Sequence, residues 1–225
     1  MKIRYGSLLI TVALCAGLAT ATTQSNQEKN MTKYVLIGGF ASRAADGGVG
    51  VCKEMIKGFE EPAKILICLF ARPEAGWASK FEEDKAFFAE RLPGTQLTMK
   101  MASVAHFADE VAWADVIYLR GGDTPMLVKA LQADPTWMKH LAGKTVVGTS
   151  AGACALGQYD YDIDHFKLSD NLGLLPIKVL PHYRSDYGAP HVNWDQIEQA
   201  LSNYKEPLEL VLLKEGEYRV FEQVA

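Results

Sequence analysis

Residues 145–156 read Thr-Val-Val-Gly-Thr-Ser-Ala-Gly-Ala-Cys-Ala-Leu. An apolar run from Thr145 stops at Gly148, and Ser150 stands among small residues ahead of a helix-forming stretch, Ala151 to Leu156. Gly148 to Gly152 fit the pattern Gly-x-Ser-x-Gly, a strained strand-to-helix turn that carries a nucleophile. Small flanking residues let backbone crowd backbone, and the serine hydroxyl is left exposed over the positive end of a helix dipole. The Ala151 amide is then a natural oxyanion donor. The plainer alternative is a tight helix start in which Ser150 only satisfies backbone donors. A strand before the turn and a helix after it favour the nucleophile.

The flanking chain supplies the sheet. Tyr34 to Gly39, Lys64 to Phe70, Thr95 to Met101, Asp115 to Leu119 and Ile177 to Pro181 are further short apolar runs, as expected of strands buried on both faces. Between them lie helical patterns: Cys52, Met55, Ile56 and Phe59 behind a capping Asp46; Trp77, Phe81, Phe88 and Leu92, stopped by Pro93-Gly94; and Leu127, Ala130 and Leu131. A short helical turn falls around His106 to Ala112. Asn193 and Gln196 resemble a capping box for the helix of Trp194, Ile197, Leu201 and Tyr204. Leu208 to Leu213 and Tyr218 to Phe221, flanking Glu-Gly-Glu, read as a closing C-terminal hairpin. The alternation predicts an α/β fold, a doubly wound and mostly parallel sheet with helices on both faces, in one domain over residues 31–225.

Composition agrees. The 225 residues are 48% hydrophobic and 22% charged with net charge −4, ordinary values that exclude disorder and a disulfide scaffold. No basic stripe points to nucleic acid. Cys52, Cys68 and Cys154 have apolar or small neighbours and no metal-ligand spacing, which predicts buried thiols. Residues 1–21 have a basic start, an apolar stretch and Ala19-Thr20-Ala21, the layout of a signal peptide, with a polar spacer at 22–30. The protein is then exported, to periplasm or medium, with no membrane association when mature. The alternative is a native start at Met31 and a cytoplasmic protein.

Ligands of open parallel sheets sit beyond the carboxyl ends of strands. Gly121-Gly122 ends one strand and is placed to bring a second oxyanion amide, that of Gly122, to a bound oxygen. Asp123 reads as a helix cap. A serine needs a base. His182 directly follows a strand and lands on the same rim as Ser150, ahead of His165 and His191 as candidates. For the acid that orients it, Asp160, Asp162, Asp164 and Asp170 lie between nucleophile and base, and Glu215 and Glu217 lie in the last turn. Asp164 is the choice.

With Gly121-Gly122-Asp123-Thr124, Gly148-Thr-Ser150-Ala-Gly-Ala153 and Pro181-His182 assembled, the chain from residue 33 onward resembles peptidase family S51, which contains dipeptidase E and cyanophycinase. The resemblance implies a class I glutamine amidotransferase-like fold with serine as nucleophile, a monomer or homodimer acting on small peptides, and no metal or organic cofactor. It implies Ser150 as nucleophile, His182 as base, and the Gly122 and Ala151 amides at the oxyanion. Arg120 stands where dipeptidase E has a third glycine, and Asp123 where it has asparagine. Gly121 and Arg184 are expected at the substrate; Arg184 and Arg120 are candidate carboxylate ligands, with a surface role the alternative for each. Two other classes compete. An α/β-hydrolase esterase shares the turn, but few residues separate Ser150 from His182 for its extra strand–helix units. A non-catalytic binding or redox-sensing domain would need a reactive Cys68 or Cys154.

Overall fold

The computed structural model describes residues 30–188 and 190–224. The expected leader, residues 1–21, lies outside them.

Six strands form the main sheet: β1 (Met31–Ile37), β2 (Ala63–Cys68), β3 (Leu97–Met101), β4 (Val116–Leu119), β5 (Thr145–Thr149) and β10 (Tyr218–Val224), in the order β10-β1-β5-β4-β2-β3. All neighbours are parallel except β10, which runs antiparallel along β1. Successive strand residues alternate between two cores. Leu36, Leu66, Ile117, Leu119 and Val146 face α3 (Phe107–Trp113), α4 (Thr124–Ala133) and α5 (Ala151–Leu156). Val35, Ile37, Ile65, Ile67, Val116 and Val147 face α1 (Val49–Ile56) and α2 (Trp77–Arg91). Both faces of β1, β2, β4 and β5 are covered, so these strands carry no polar alternation, whereas the edge strand β3, expected to be buried on both faces, is largely exposed, as is β10.

A second sheet departs from the sequence reading. The acidic stretch 158–171 forms β6 (Tyr159–Asp162) and β7 (Lys167–Asp170), an antiparallel pair. Beside β6 run β8 (Ile177–Leu180) and β9 (Glu209–Leu212), both parallel, in the order β7-β6-β8-β9. The helix α6 (Trp194–Ser202) packs Ile197 and Leu201 against this sheet, and the Asn193 side chain accepts from the Gln196 amide as expected of its cap. The expected C-terminal hairpin is therefore corrected: β9 closes the second sheet and β10 the first. The Glu215-Gly216-Glu217 turn carries the chain from one sheet to the other.

This crossing fixes the rim. β1, β4 and β5 end side by side, at Gly38, Arg120 and Ser150. The end of β8 is stitched to β1 by His182 N–H donating to the Gly38 carbonyl at 2.8 Å, while Tyr183 N–H, donating to the Leu213 carbonyl at 3.0 Å, continues its pairing with the chain after β9.

Candidate active site

Ser150 sits at the joint of β5 and α5 with φ 52° and ψ −113°, a conformation that costs a non-glycine residue about 1–3 kcal/mol. Its backbone is held from both directions: the amide donates to the Ile37 carbonyl, and its carbonyl accepts from Cys154 N–H, each at 3.0 Å. Gly152 lets the helix start this close, because a Cβ there would lie 2.1 Å from the Leu119 carbonyl oxygen. Ala151 opens α5, so its amide has no intrahelical acceptor.

His182 reaches Ser150. Its Nε2 is 2.9 Å from Ser150 Oγ, and its Nδ1 is 2.9 Å from Glu215 Oε1. The other Glu215 oxygen accepts from Arg43. Imidazole and carboxylate are both buried, at 5% and 7% side-chain exposure, so the pair is shielded from water. Burial lowers the imidazole pKa below its ordinary value, and the bond to Glu215 opposes this only in part. The ring is clamped. Tyr187 stacks on it at 4.1 Å with planes 12° apart, and Phe40 meets it edge-on at 5.6 Å. Gly39 must be glycine here: its φ is 105°, and a Cβ would fall 2.2 Å from His182 Cε1. Phe40 and His182, like Ser150, have positive φ, a concentration of strain typical of sites that need fixed geometry.

Asp164, the expected orienting acid, does not meet the imidazole. It accepts from the Tyr187 hydroxyl at 2.9 and 3.1 Å, so it acts on the ring through Tyr187, and Glu215 takes the place beside Nδ1. Arg184 is corrected as well. It is exposed, bonds the Tyr183 hydroxyl and Asp195, and is not among the residues lining the cavity over Ser150. Gly121 is in that cavity, against Ser150, and Gly122 adjoins it. Asp123 caps α4, its Oδ1 accepting from Met126 N–H. His165 pairs with Asp162 at 2.8 Å, and His191 is exposed. Phe40, Arg43 and Tyr187 carry no motif, and only the fold brings them together.

The cavity over Ser150 holds about 350 Å³, with Phe40, Arg72, Asp84, Tyr118, Arg120 and Tyr187 in its walls. A small second cavity lies on the other side, lined by Ala151, Asp160, Asp162 and Asp164. Among the described residues no cluster of three His, Cys, Asp or Glu side chains is arranged to hold a metal ion, and no helix is long and apolar enough to cross a membrane. Cys68 and Cys154 are buried, and burial pushes the Cys68 thiol up to about 12 and that of Cys154 well above its usual value. Such thiols are poor nucleophiles.

Comparison with known proteins places the chain in a family. The model of peptidase family S51 matches residues 77–223, a span that includes Ser150, His182 and Glu215. An uncharacterized peptidase of Pasteurella multocida (strain Pm70), PM1590, is 32% identical over 130 residues, covering 47% of this chain and 61% of that protein. The match thus spans less than two thirds of that relative's length. Two solved structures share the fold. A peptidase from an acI-B1 Actinobacterium superposes with TM-score 0.59 at 20% identity, over 86% of this chain and 84% of that one. A protein of Listeria monocytogenes EGD-e assigned as a peptidase E gives TM-score 0.58 at 19% identity, over 87% of this chain and 99% of that one. The architecture is the mostly parallel, class I glutamine amidotransferase-like sheet expected from the sequence, and with the family model matched over more than half its length the chain belongs to peptidase family S51.

Proposed function

We propose that the chain is a serine peptidase hydrolysing small peptides, as a dipeptidase E-like enzyme would, through an acyl-enzyme on Ser150. The observation that carries this reading is the continuous chain from Ser150 Oγ to His182 Nε2 and from His182 Nδ1 to Glu215, built on a strained turn. Ser150 Oγ attacks the peptide carbonyl carbon as its proton passes to His182 Nε2. The carbonyl oxygen takes the negative charge and is held by the amides of Gly122 and Ala151. The C–N bond then breaks, His182 returns the proton to the leaving amine, and the acyl group stays on Ser150. Water attacks that ester with His182 again as base, which releases the acid and restores the hydroxyl. Glu215 keeps its carboxylate throughout and stabilises the imidazolium.

A fluorophosphonate probe tests this directly. It should label Ser150, and Ser150→Ala should abolish the adduct. His182→Ala should slow labelling, and turnover of a dipeptide panel, by about 10³-fold or more. An unlabelled Ser150 in the folded wild-type protein overturns the reading. Labelling with ester turnover and no dipeptide turnover would leave an esterase.

A further inference from the structure

The cavity over Ser150 contains two cations and two carboxylates, Arg72, Arg120, Glu83 and Asp84, and their bonding separates them. Arg120 is used up. Its Nε pairs with Asp84 at 3.3 Å, its Nη2 with Glu83 at 3.1 Å, and its Nη1 donates to the Lys80 carbonyl at 3.3 Å. Every nitrogen of that guanidinium has a partner on α2, where Lys80 shares Glu83, so Arg120 forms wall.

Arg72 is different. It follows β2, and only its Nε is engaged, donating to the Gly121 carbonyl at 2.8 Å. Among the described residues Nη1 and Nη2 have no hydrogen-bond or ion-pair partner. The backbone beneath is fixed on several sides: Arg72 N–H donates to the Leu69 carbonyl at 2.9 Å, the Arg72 carbonyl accepts from Trp77 Nε1 at 2.8 Å, and the Ala71 carbonyl accepts from Asp123 N–H at 2.8 Å. Gly121 in turn touches the nucleophile, since a Cβ on it would lie 3.0 Å from Ser150 Cβ. A half-buried guanidinium thus presents an open fork to the cavity that Ser150 also lines. A planar fork of this kind matches a carboxylate with two parallel hydrogen bonds, which a lysine ammonium cannot reproduce.

We propose that Arg72 is the anchor for a carboxylate of the substrate, holding it through Nη1 and Nη2 while Nε fixes the Gly121 carbonyl beside the nucleophile. The proposal rests on the peptidase reading of Ser150. The carboxylate has two possible sources: the C-terminus of a dipeptide, which lies one extended residue of about 3.5 Å beyond the scissile bond, or an acidic side chain next to that bond. In both cases the same bidentate pair forms, and one residue of the protein couples substrate binding to the placement of the Gly121-Gly122 loop.

The test compares Asp-Ala, Asn-Ala and Ala-Ala with their C-terminal amides, in wild type, Arg72→Met and Arg72→Lys, with each preparation also titrated with the fluorophosphonate probe. Wild type should prefer the carboxylate-bearing member by about 10- to 100-fold in kcat/KM, the range of a charge-assisted pair. That preference should fall to within about threefold in Arg72→Met and be only partly restored in Arg72→Lys. A collapse of acid over amide assigns the C-terminus, and a collapse of Asp over Asn assigns the side chain. A uniform loss across all six substrates would reduce Arg72 to a brace for Gly121 and overturn the anchor. So would a wild type indifferent to both changes, a measurement that needs no variant. Failure of the underlying reading looks different, because Ser150 would then take no fluorophosphonate in any of the proteins.

Discussion

Glu215 and Asp164 are both within reach of His182 in charge, but only Glu215 touches it. A carboxylate on Nδ1 keeps the ring proton there and leaves the Nε2 lone pair for Ser150, whereas a carboxylate on the Tyr187 hydroxyl steadies a ring stacked on the imidazole. Glu215→Gln should therefore slow fluorophosphonate labelling of Ser150 by about 10²- to 10⁴-fold, and Asp164→Asn by less than about tenfold. Equal effects would mean the two acids share the task. The pH dependence has a definite sign. Only neutral imidazole accepts the serine proton, and burial holds the His182 pKa below 6.5, so the labelling rate should climb with pH around a midpoint below that value. Because Glu215 raises this pKa, the residual rate of Glu215→Gln should have its midpoint lower still.

The joint of β5 and α5 was legible in the sequence because its requirement is local. Gly148 and Gly152 are demanded by backbone crowding, with virtual Cβ contacts of 2.4 Å to the Gly152 carbonyl oxygen and 2.1 Å to that of Leu119. Gly152→Ala should push α5 off β4, cost about 1–3 kcal/mol or more in urea unfolding, and slow Ser150 labelling beyond what the lost stability explains. Unchanged stability would mean that helix and strand give way easily. The apolar runs of β1, β2, β4 and β5 were legible for the same reason, each being a strand buried on two faces. Three features were not. The segment Tyr159 to Asp162 reads as a solvated acidic loop because Asp160, fully buried, breaks the rule that acids lie outside. A strand, a Glu-Gly-Glu turn and a strand look alike whether the turn joins partners or passes between sheets, so β9 and β10 were paired wrongly. That error left Glu215 a candidate passed over for Asp164, because its meeting with His182 depends on the crossing and on no spacing along the chain.

The two sheets share one buried acid, and the stability of the whole molecule should register it. Asp160 of β6 lies against Cys154 of α5, with Oδ1 accepting from Asn171 Nδ2 at 3.1 Å and Oδ2 without a partner among the described residues. Burial pushes its pKa up to about 6. The folded state thus holds a proton that the unfolded chain releases near pH 4. The sign follows from linkage: between about pH 4 and 6 the folded state binds more protons, so stability from this group is complete below pH 4 and drains away as pH rises through 6. The stability at stake is on the order of 3 kcal/mol. His182 acts in the opposite sense, since its lowered pKa removes stability as pH falls below 6.5. Comparing wild type with Asp160→Asn isolates the carboxylate, because His182 and the other titrating groups are common to both. At pH 7.5 the variant should melt higher, by about 2–4 °C for each kcal/mol recovered in a chain of this size, and the advantage should shrink steadily between pH 6 and pH 4. A difference in Tm that stays constant across that range would instead trace to packing of the amide, and folding would then leave the Asp160 pKa where the unfolded chain has it.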